Sequence, residues 1–426
     1  MTYSEPNESD AAVIGTGTAD DPWYCGPDGS DSVTATHING VLVISGSGAM
    51  DNYTLVSGVV NTPWWNERAG IVSVVIGEGV TSIGDRAFYN CTNLTSIVIP
   101  DSVKTIGHSA FFGCTKLTSI VIPDKVTSIG NQAFYSCTKL ESVEIHGNTL
   151  KTIDIRTFYN CTSLTSIIIP DGVTSIGNQA FYNCTNLTSI VIPDGVTQIG
   201  AGAFYNSTSL TSINIPDGVT SIDGHAFDGC TKLTSIVIPD KVTSIGIAAF
   251  IGCTSLTSVE ILGNTLISIG DYAFYKSNPT SIVIPGSVKT IGDYAFSGCT
   301  SLISVTILGN ELTSVGASAF QSCTSLTSIV VPDGVKFSDA NAFYLCANLT
   351  TVTVTGGSGG NITADGIIDK YFKNGKSWIL PGATNAAKYL ILPDIGSADY
   401  ASTNIAAAAG REVHYSDKVY TASGTS

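Results

Sequence analysis

Leu164 to Asn186 reads LTSIIIPDGVTSIGNQAFYNCTN, and close variants of that stretch follow one another along most of the chain. Its tail marks the period. Phe88, Phe111, Phe134, Phe158, Phe181, Phe204, Phe227, Phe250, Phe274, Phe296, Phe320 and Phe343 fall at steps of 22 to 24 residues. Self-similarity at a fixed period of about 20 to 50 residues is the signature of a solenoid. Each copy is one coil, and its residues say how the coil runs.

Leu164, Ile167 and Ile169 alternate with polar or surface positions, as a half-buried strand does. Pro170-Asp171-Gly172 is a turn with a mechanism: Pro fixes φ, Asp bonds locally and Gly accepts positive φ. The chain re-enters the core at Val173 and Ile176, turns at Gly177, and passes through Ala180 and Phe181 to Cys184. Ala and Phe followed three residues later by Cys share a helical face, which predicts a short helical turn packed on the strand. One coil buries too little to stand alone, so stacking with backbone pairing between coils is required.

The unit L-x-x-I-x-I-P-x-x-V-x-x-I-G-x-x-A-F-x-x-C is similar to the BspA-like bacterial leucine-rich repeat family, and the match runs from Ile71 to about Thr355. The resemblance implies an α/β-type solenoid with 23-residue coils and the parallel sheet of LTSIVIP strands on the concave face. It also implies an exported, surface-attached or secreted protein that adheres to host or neighbouring-cell surfaces, with matrix proteins such as fibronectin and fibrinogen as the kind of partner.

Composition narrows the function classes. The 426 residues are 43% hydrophobic, which suits an ordered protein with a large core. A net charge of −15 argues against a nucleic-acid partner, which would call for a basic stripe. An anionic membrane surface is disfavoured for the same reason. No apolar run approaches the ~18 residues of a membrane span. The start, MTYSEPNESD, has neither the basic region nor the apolar core of a signal peptide. An extracellular or cell-surface location, with the signal removed, therefore follows from the resemblance alone.

Ten of the cysteines occupy one repeat slot: Cys91, Cys114, Cys137, Cys161, Cys184, Cys230, Cys253, Cys299, Cys323 and Cys346. Ser207 and Ser277 fill the same slot in other coils. A position that accepts either residue wants a small buried group rather than a bond partner, so a ladder of free thiols is expected, not disulfides. Cys25 lies outside the ladder. Without a C-x-x-C pair or a His cluster, no zinc site is expected.

Along the chain, residues 1–20 read as a disordered leader, polar and acidic. Residues 21–70 read as an N-terminal β cap, with strands at 33–37 and 40–44 joined through Asn39-Gly40 and a core of Trp64 and Trp65. The repeats occupy 71–355. Three coils, at His146-Gly147-Asn148, Leu262-Gly263-Asn264 and Leu308-Gly309-Asn310, replace Pro-Asp by Gly-Asn and gain a residue. Pro279 stands near the usual Leu slot of a coil one residue short, and Ser338 stands where the last full coil should have Ile. Residues 356–360 are a Gly-rich linker. Residues 361–426 carry no repeat and read as a C-terminal cap or small module, with strands at 378–380 and 389–392 and helices at 367–371 and 404–409.

Strand alternation points two columns of side chains outward. One is a Ser ladder. The other, mostly apolar, contains Val75, Val98, Val121, Glu144, Ile168, Val191, Asn214, Val237, Glu260, Val283, Thr306 and Val330. A row of exposed Val of this length exceeds an ordinary surface patch and marks an interaction site; the bland reading is that β-branched residues simply suit strands. The candidate ligand-binding residues are Val98 through Thr306 of that column. Asp101, Asp124, Asp171, Asp194, Asp217, Asp240 and Asp333 recur in the turn slot, where one carboxylate per coil forms a turn better than it ligates calcium.

Catalysis has no support. His37, His108, His146, His225 and His414 are scattered, and no G-x-S-x-G elbow, Walker loop or dinucleotide fingerprint is present. The sequence thus predicts a non-enzymatic binding scaffold without a cofactor, recognising an extracellular matrix or cell-surface protein or glycan as a monomer or weak self-associator. The alternative is a structural spacer or self-assembling surface element.

Overall fold

The computed structural model describes residues 15–332, 335–338, 341–349, 351–355, 389–392, 412–415 and 418–421. Two compact units divide the chain, Met1–Gly195 and Val196–Ser426.

In the first unit each coil lays down two strands, most of which pair in parallel with the same strands of the next coil; the ladders break between Ser96–Val98 and Ser119–Ile122 and between Ser128–Ile129 and Thr152–Ile153. The first strands are Ser73–Ile76, Ser96–Val98, Ser119–Ile122, Ser142–Ile145, Ser166–Ile168 and Ser189–Val191. Their register puts Ser on Ser and Ile on Ile or Val, as at Ser119↔Ser142 and Ile120↔Val143. The second strands include Val80–Ile83, Thr105–Ile106 and Ser128–Ile129, again with Ser or Thr on Ser and Ile on Ile. Inward residues of both strands are buried, and one Phe per coil fills the space between them. Phe88, Phe111, Phe134, Phe158 and Phe181 stack face to face with centroids 5.2–5.5 Å apart. Such pairs add about 0.5–1.5 kcal/mol each beyond area burial.

The segment expected to be a helical turn is not one, and among the described residues there are no helices beyond two 3-10 stretches, Pro27–Gly29 and Trp65–Gly70. The reason lies in where the backbone N–H groups go. Arg86, Phe88 and Asn90 donate to the carbonyls of His108, Ala110 and Phe112 in the next coil at 2.7–2.8 Å. Ala87, Tyr89 and Cys91 donate to the carbonyls three residues back. Alternate groups are thus committed between coils, which a helix with its internal bonds cannot allow. The geometry needs positive φ at Arg86 and Asn90, 54° and 56°, and at the equivalent residues of later coils.

The hairpin read through Asn39-Gly40 is present as Val33–Ile38 and Val41–Gly46, with φ of 51° and 82° at the two turn residues. Val41–Gly46 pairs in parallel with Ser73–Ile76, so the hairpin extends the repeat sheet. Trp64 is buried, stacks 6.1 Å from Phe88 and donates from Nε1 to the Ala87 carbonyl at 2.9 Å. It heads the phenylalanine column. Trp65 does not join the core; it is half-buried beneath Arg68, whose guanidinium sits 3.7 Å above the ring. The leader also differs from expectation, because residues 15–20 are ordered. Thr16 and Gly17 donate to the Asp21 carbonyl, and the Gly17 carbonyl accepts from His37 N–H at 2.9 Å. Gly17 is required there, since a Cβ would fall 2.5 Å from the Trp23 ring.

The second unit repeats the plan from Phe204 to Phe343, with ring centroids 5.1–5.6 Å apart. Pro279 is buried in the short coil, and Asn278 Nδ2 donates to the Thr254 carbonyl at 2.8 Å. One sequence reading is corrected here. Ser338 does not replace Ile: the strand slips by one, Phe337 pairs with Val315, and its ring lies 5.5 Å from Phe343 while Ser338 is exposed. The sheet continues past Thr351–Thr355. Tyr389–Leu392 pairs with it in parallel and Glu412–Tyr415 follows in parallel, closed by antiparallel Lys418–Thr421. The YLILPD of 389–394 repeats the strand and turn of SIVIPD, a signal hidden by the missing A-F-x-x-C tail. The readings for residues 1–14, the linker at 356–360, and the elements at 367–371, 378–380 and 404–409 lie outside the described residues.

Candidate functional site

The exposed face of the first strands is built by alternation in a ladder whose backbone groups are already paired, so only side chains are on offer. In the first unit Val75, Val98, Val121, Glu144, Ile168 and Val191 all point to solvent, with Ile168 and Val191 at 74% and 65% exposure. They stand in register, Val75↔Val98, Val121↔Glu144 and Ile168↔Val191. In the second unit Asn214, Val237, Glu260 and Val283 are exposed, whereas Thr306 and Val330 are half-buried. Val237↔Glu260 and Val283↔Thr306 are direct neighbours there. No strand is assigned over 211–216, where Asn214 replaces the usual Val and is the residue type strands tolerate least of these.

Beside this column runs the Ser ladder, exposed from Ser96 to Ser281. A third row, of Thr, is occupied with holding coils together. Thr95 Oγ1 donates to the Val72 carbonyl at 3.0 Å and Thr257 Oγ1 to that of Thr234 at 3.3 Å. The face therefore presents valine methyls, serine hydroxyls and a few carboxylates. Glu144 Oε2 lies 3.5 Å from His146 Nε2, both well exposed.

The other candidate groups do not converge. Among the described residues no three His, Cys, Asp or Glu side chains are grouped as metal ligands would be. The rim aspartates through Asp240 are exposed, and Asp333 is outside the described residues. His37 pairs with Glu67 at 2.6 Å and His225 with Asp228 at 2.8 Å, far apart in sequence and in different units. Burial raises the Asp228 carboxyl while the His225 contact lowers it.

All eleven cysteines are free and buried, Cys25 included. The free thiols agree with the sequence reading, and the slot adds a hydrogen bond which that reading did not include. Cys114 Sγ donates to the Phe88 carbonyl at 3.1 Å, Cys137 to Phe111 at 3.1 Å and Cys299 to Phe274 at 3.1 Å, each in the preceding coil. Ser277 Oγ makes the same bond to Phe250 at 2.5 Å. What Cys and Ser share is a donor, and that explains their interchange. Burial pushes the Cys91 and Cys184 thiols up to about 12.

One feature escaped the sequence reading. The residue after each core Phe gives Tyr89, Phe112, Tyr135, Tyr159 and Tyr182, which stack at 4.4–4.6 Å with planes within 10° of parallel. The rings are half-buried. The signal was present as an aromatic in one slot of six successive coils, Tyr205 after Phe204 being the sixth.

No described helix is long and apolar enough to cross a membrane. The family model for the BspA type leucine rich repeat region matches residues 65–187, 151–267 and 267–363. No curated protein matches the chain. A leucine-rich repeat protein from Bacteroides ovatus is 26% identical over 72% of this chain and 98% of its own, with a TM-score of 0.49. A leucine rich cell surface protein from Faecalibacterium prausnitzii is 26% identical over 82% of this chain and 98% of its own, with a TM-score of 0.39. The pneumococcal vaccine antigen PcpA is 16% identical over 84% of this chain and 97% of its own, with a TM-score of 0.50, a likeness of fold alone.

Proposed function

Because this chain belongs to the BspA-type leucine-rich repeat family, we propose that it is a non-enzymatic scaffold that binds a protein or glycan of the extracellular matrix or a neighbouring cell surface through its exposed sheet face. The proposed contact residues are Val98, Val121, Glu144, Ile168, Val191, Asn214, Val237, Glu260, Val283 and Thr306. The supporting observation is the column of solvent-facing, mostly β-branched side chains, in register wherever neighbouring strands pair. Burying an exposed Val releases about 1.5 kcal/mol or more, and the Ser row beside it supplies hydroxyls for a polar rim. A cell-surface or extracellular location belongs to the same proposal, as does a capping role for residues 21–70.

The test is binding of the purified chain to immobilised matrix proteins and surface glycans at physiological salt, beside a Val121→Lys, Val191→Lys, Val237→Lys variant. These positions are exposed, so the variant should melt as the parent does. Forcing three ammonium groups against an apolar partner should weaken binding at least about a hundredfold. Undiminished binding by the folded variant sinks the site assignment. A folded parent that binds nothing favours the spacer reading.

A further inference from the structure

Most coils leave the first strand through Pro-Asp, but two of them, one in each unit, leave it differently and in the same way. Ser142 to Leu150 reads SVEIHGNTL and Ser258 to Leu266 reads SVEILGNTL, a difference of one residue in nine. A Cβ on Gly147 would lie 2.6 Å from Asp124 Cβ, and one on Gly263 2.8 Å from Asp240 Cβ, so each turn sits flat on the turn before it. Thr149 Oγ1 donates to the Val126 carbonyl at 2.7 Å and Thr265 Oγ1 to that of Val242 at 3.2 Å. The turn has lost its Asp, and a carboxylate stands on the exposed sheet face instead, at Glu144 and Glu260. The third Gly-Asn coil, SVTILGNEL over 304–312, has Thr306 in that column.

Each glutamate has an apolar residue on either side. Glu144 pairs in register with Val121, and Ile168 holds the same column in the next coil, past Ser142↔Ser166 and Val143↔Ile167. Glu260 pairs with Val237, and Val283 holds the column in the next coil. These four flanking side chains are 40–74% exposed. The carboxylates are short of partners. Glu144 has His146 Nε2 at 3.5 Å, and Leu262 stands where that histidine would be beside Glu260. Glu260 makes no ion pair among the described residues. Neither the column nor the Ser row beside it contains a lysine or arginine.

A partner that covers such a row must strip water from the carboxylate at its centre. Without a counter-charge that loss exceeds what the flanking methyls return. With one, opposite charges meet where the attraction is least screened. The row therefore selects a ligand that is apolar at both ends and cationic in the middle. Neutral and sulfated sugars have no cation to offer. A protein offers Lys or Arg, whose apolar stems also lie along the valine methyls. The net charge of −15 draws such a ligand in and repels an acidic one.

We infer that Glu144 and Glu260 determine the specificity of the exposed face, each receiving a lysine or arginine that a protein partner presents between apolar side chains. This rests on the function proposed above.

The test is selection of a phage-displayed library of random peptides on the full chain at low salt. Each selected peptide is then titrated against the parent, against Glu144→Gln with Glu260→Gln, and against the Val121→Lys, Val191→Lys, Val237→Lys variant. Both glutamates are exposed, so the Gln variant should melt as the parent does. Peptides that lose binding to the valine variant should be rich in Lys or Arg flanked by apolar residues. The Gln variant should bind them at least about thirtyfold more weakly, as loss of one partner of a covered charge pair implies, and with little remaining dependence on salt. If those peptides carry no basic residue, or bind the Gln variant as tightly as the parent, the inference is overturned while the face stands as a binding surface. If no peptide is selected, or none depends on the valines, the face itself fails and the inference falls with it.

Discussion

Asn90 holds a backbone angle that most side chains resist, φ 56°, at the bend just before the buried Cys91. The left-handed region costs an ordinary residue about 1–2 kcal/mol and favours Asn and Gly. Asn90→Ala should therefore lower stability by about 1 kcal/mol, while Asn90→Gly should be nearly neutral, as read from denaturant midpoints. The same logic accounts for the N-x-T sequences at Asn90, Asn160 and Asn183: Asn makes the bend, Cys fills the core and Thr begins the next turn. The thiols carry a second consequence. With folded values raised to about 12 at Cys91 and Cys184, the folded state keeps protons that the unfolded chain releases near its ordinary thiol value. Stability should be flat below about pH 8 and fall above it, by roughly 1.4 kcal/mol per pH unit for each such thiol. Denaturant midpoints at increasing alkalinity check this, and a rise would contradict it.

A coil is held at its corners as much as in its core. A Cβ on Gly270 would lie 2.8 Å from backbone atoms of Gly246 and Ile247 in the preceding coil, whereas one on Gly252 would meet nothing within 4 Å. Gly270→Ala should cost about 1–3 kcal/mol through forced separation of coils. Gly252→Ala, at φ 64°, should cost only the backbone term of about 1 kcal/mol. The thermal midpoints of the two variants separate spacing from conformation. At this scale the sequence was most legible where alternation governs: Ile120 inward, Val121 outward and Ser119 aligned on Ser142 all follow from period two. It was least legible where pairing between coils overrides local preference. The Ala-Phe-x-x-Cys spacing suits a helix, but coils this close consume the N–H groups a helix would need. The slip that brings Phe337 into the Ile slot was invisible for a related reason, since counting from Phe343 presumes a constant coil length. For the candidate site, the valine column was readable and the tyrosine ladder was not. An aromatic beside a core Phe reads as more core until the stack places it at the surface.

Each coil touches its neighbours and little else, so energetic coupling should be short in range. Within the second unit, Phe227→Ala and Phe320→Ala share no ring partner and should add to within about 0.5 kcal/mol, whereas Phe227→Ala and Phe250→Ala, whose rings stack at 5.2 Å, should not. A double-mutant cycle on denaturant midpoints distinguishes the two pairs. The cysteine column gives the same architecture a kinetic side. Once coils close, the thiols are out of reach; until they close, ten chemically equivalent sulfurs stand on one flexible chain, each 23 or 24 residues from the next, or 46 where Ser207 or Ser277 fills the slot between. Disulfide formation takes seconds to hours depending on the oxidant, so in an oxidising medium folding becomes a race between coil closure and random cross-linking. Refolding with a reductant should return the native chain, and refolding with an oxidant should yield scrambled species on a non-reducing gel.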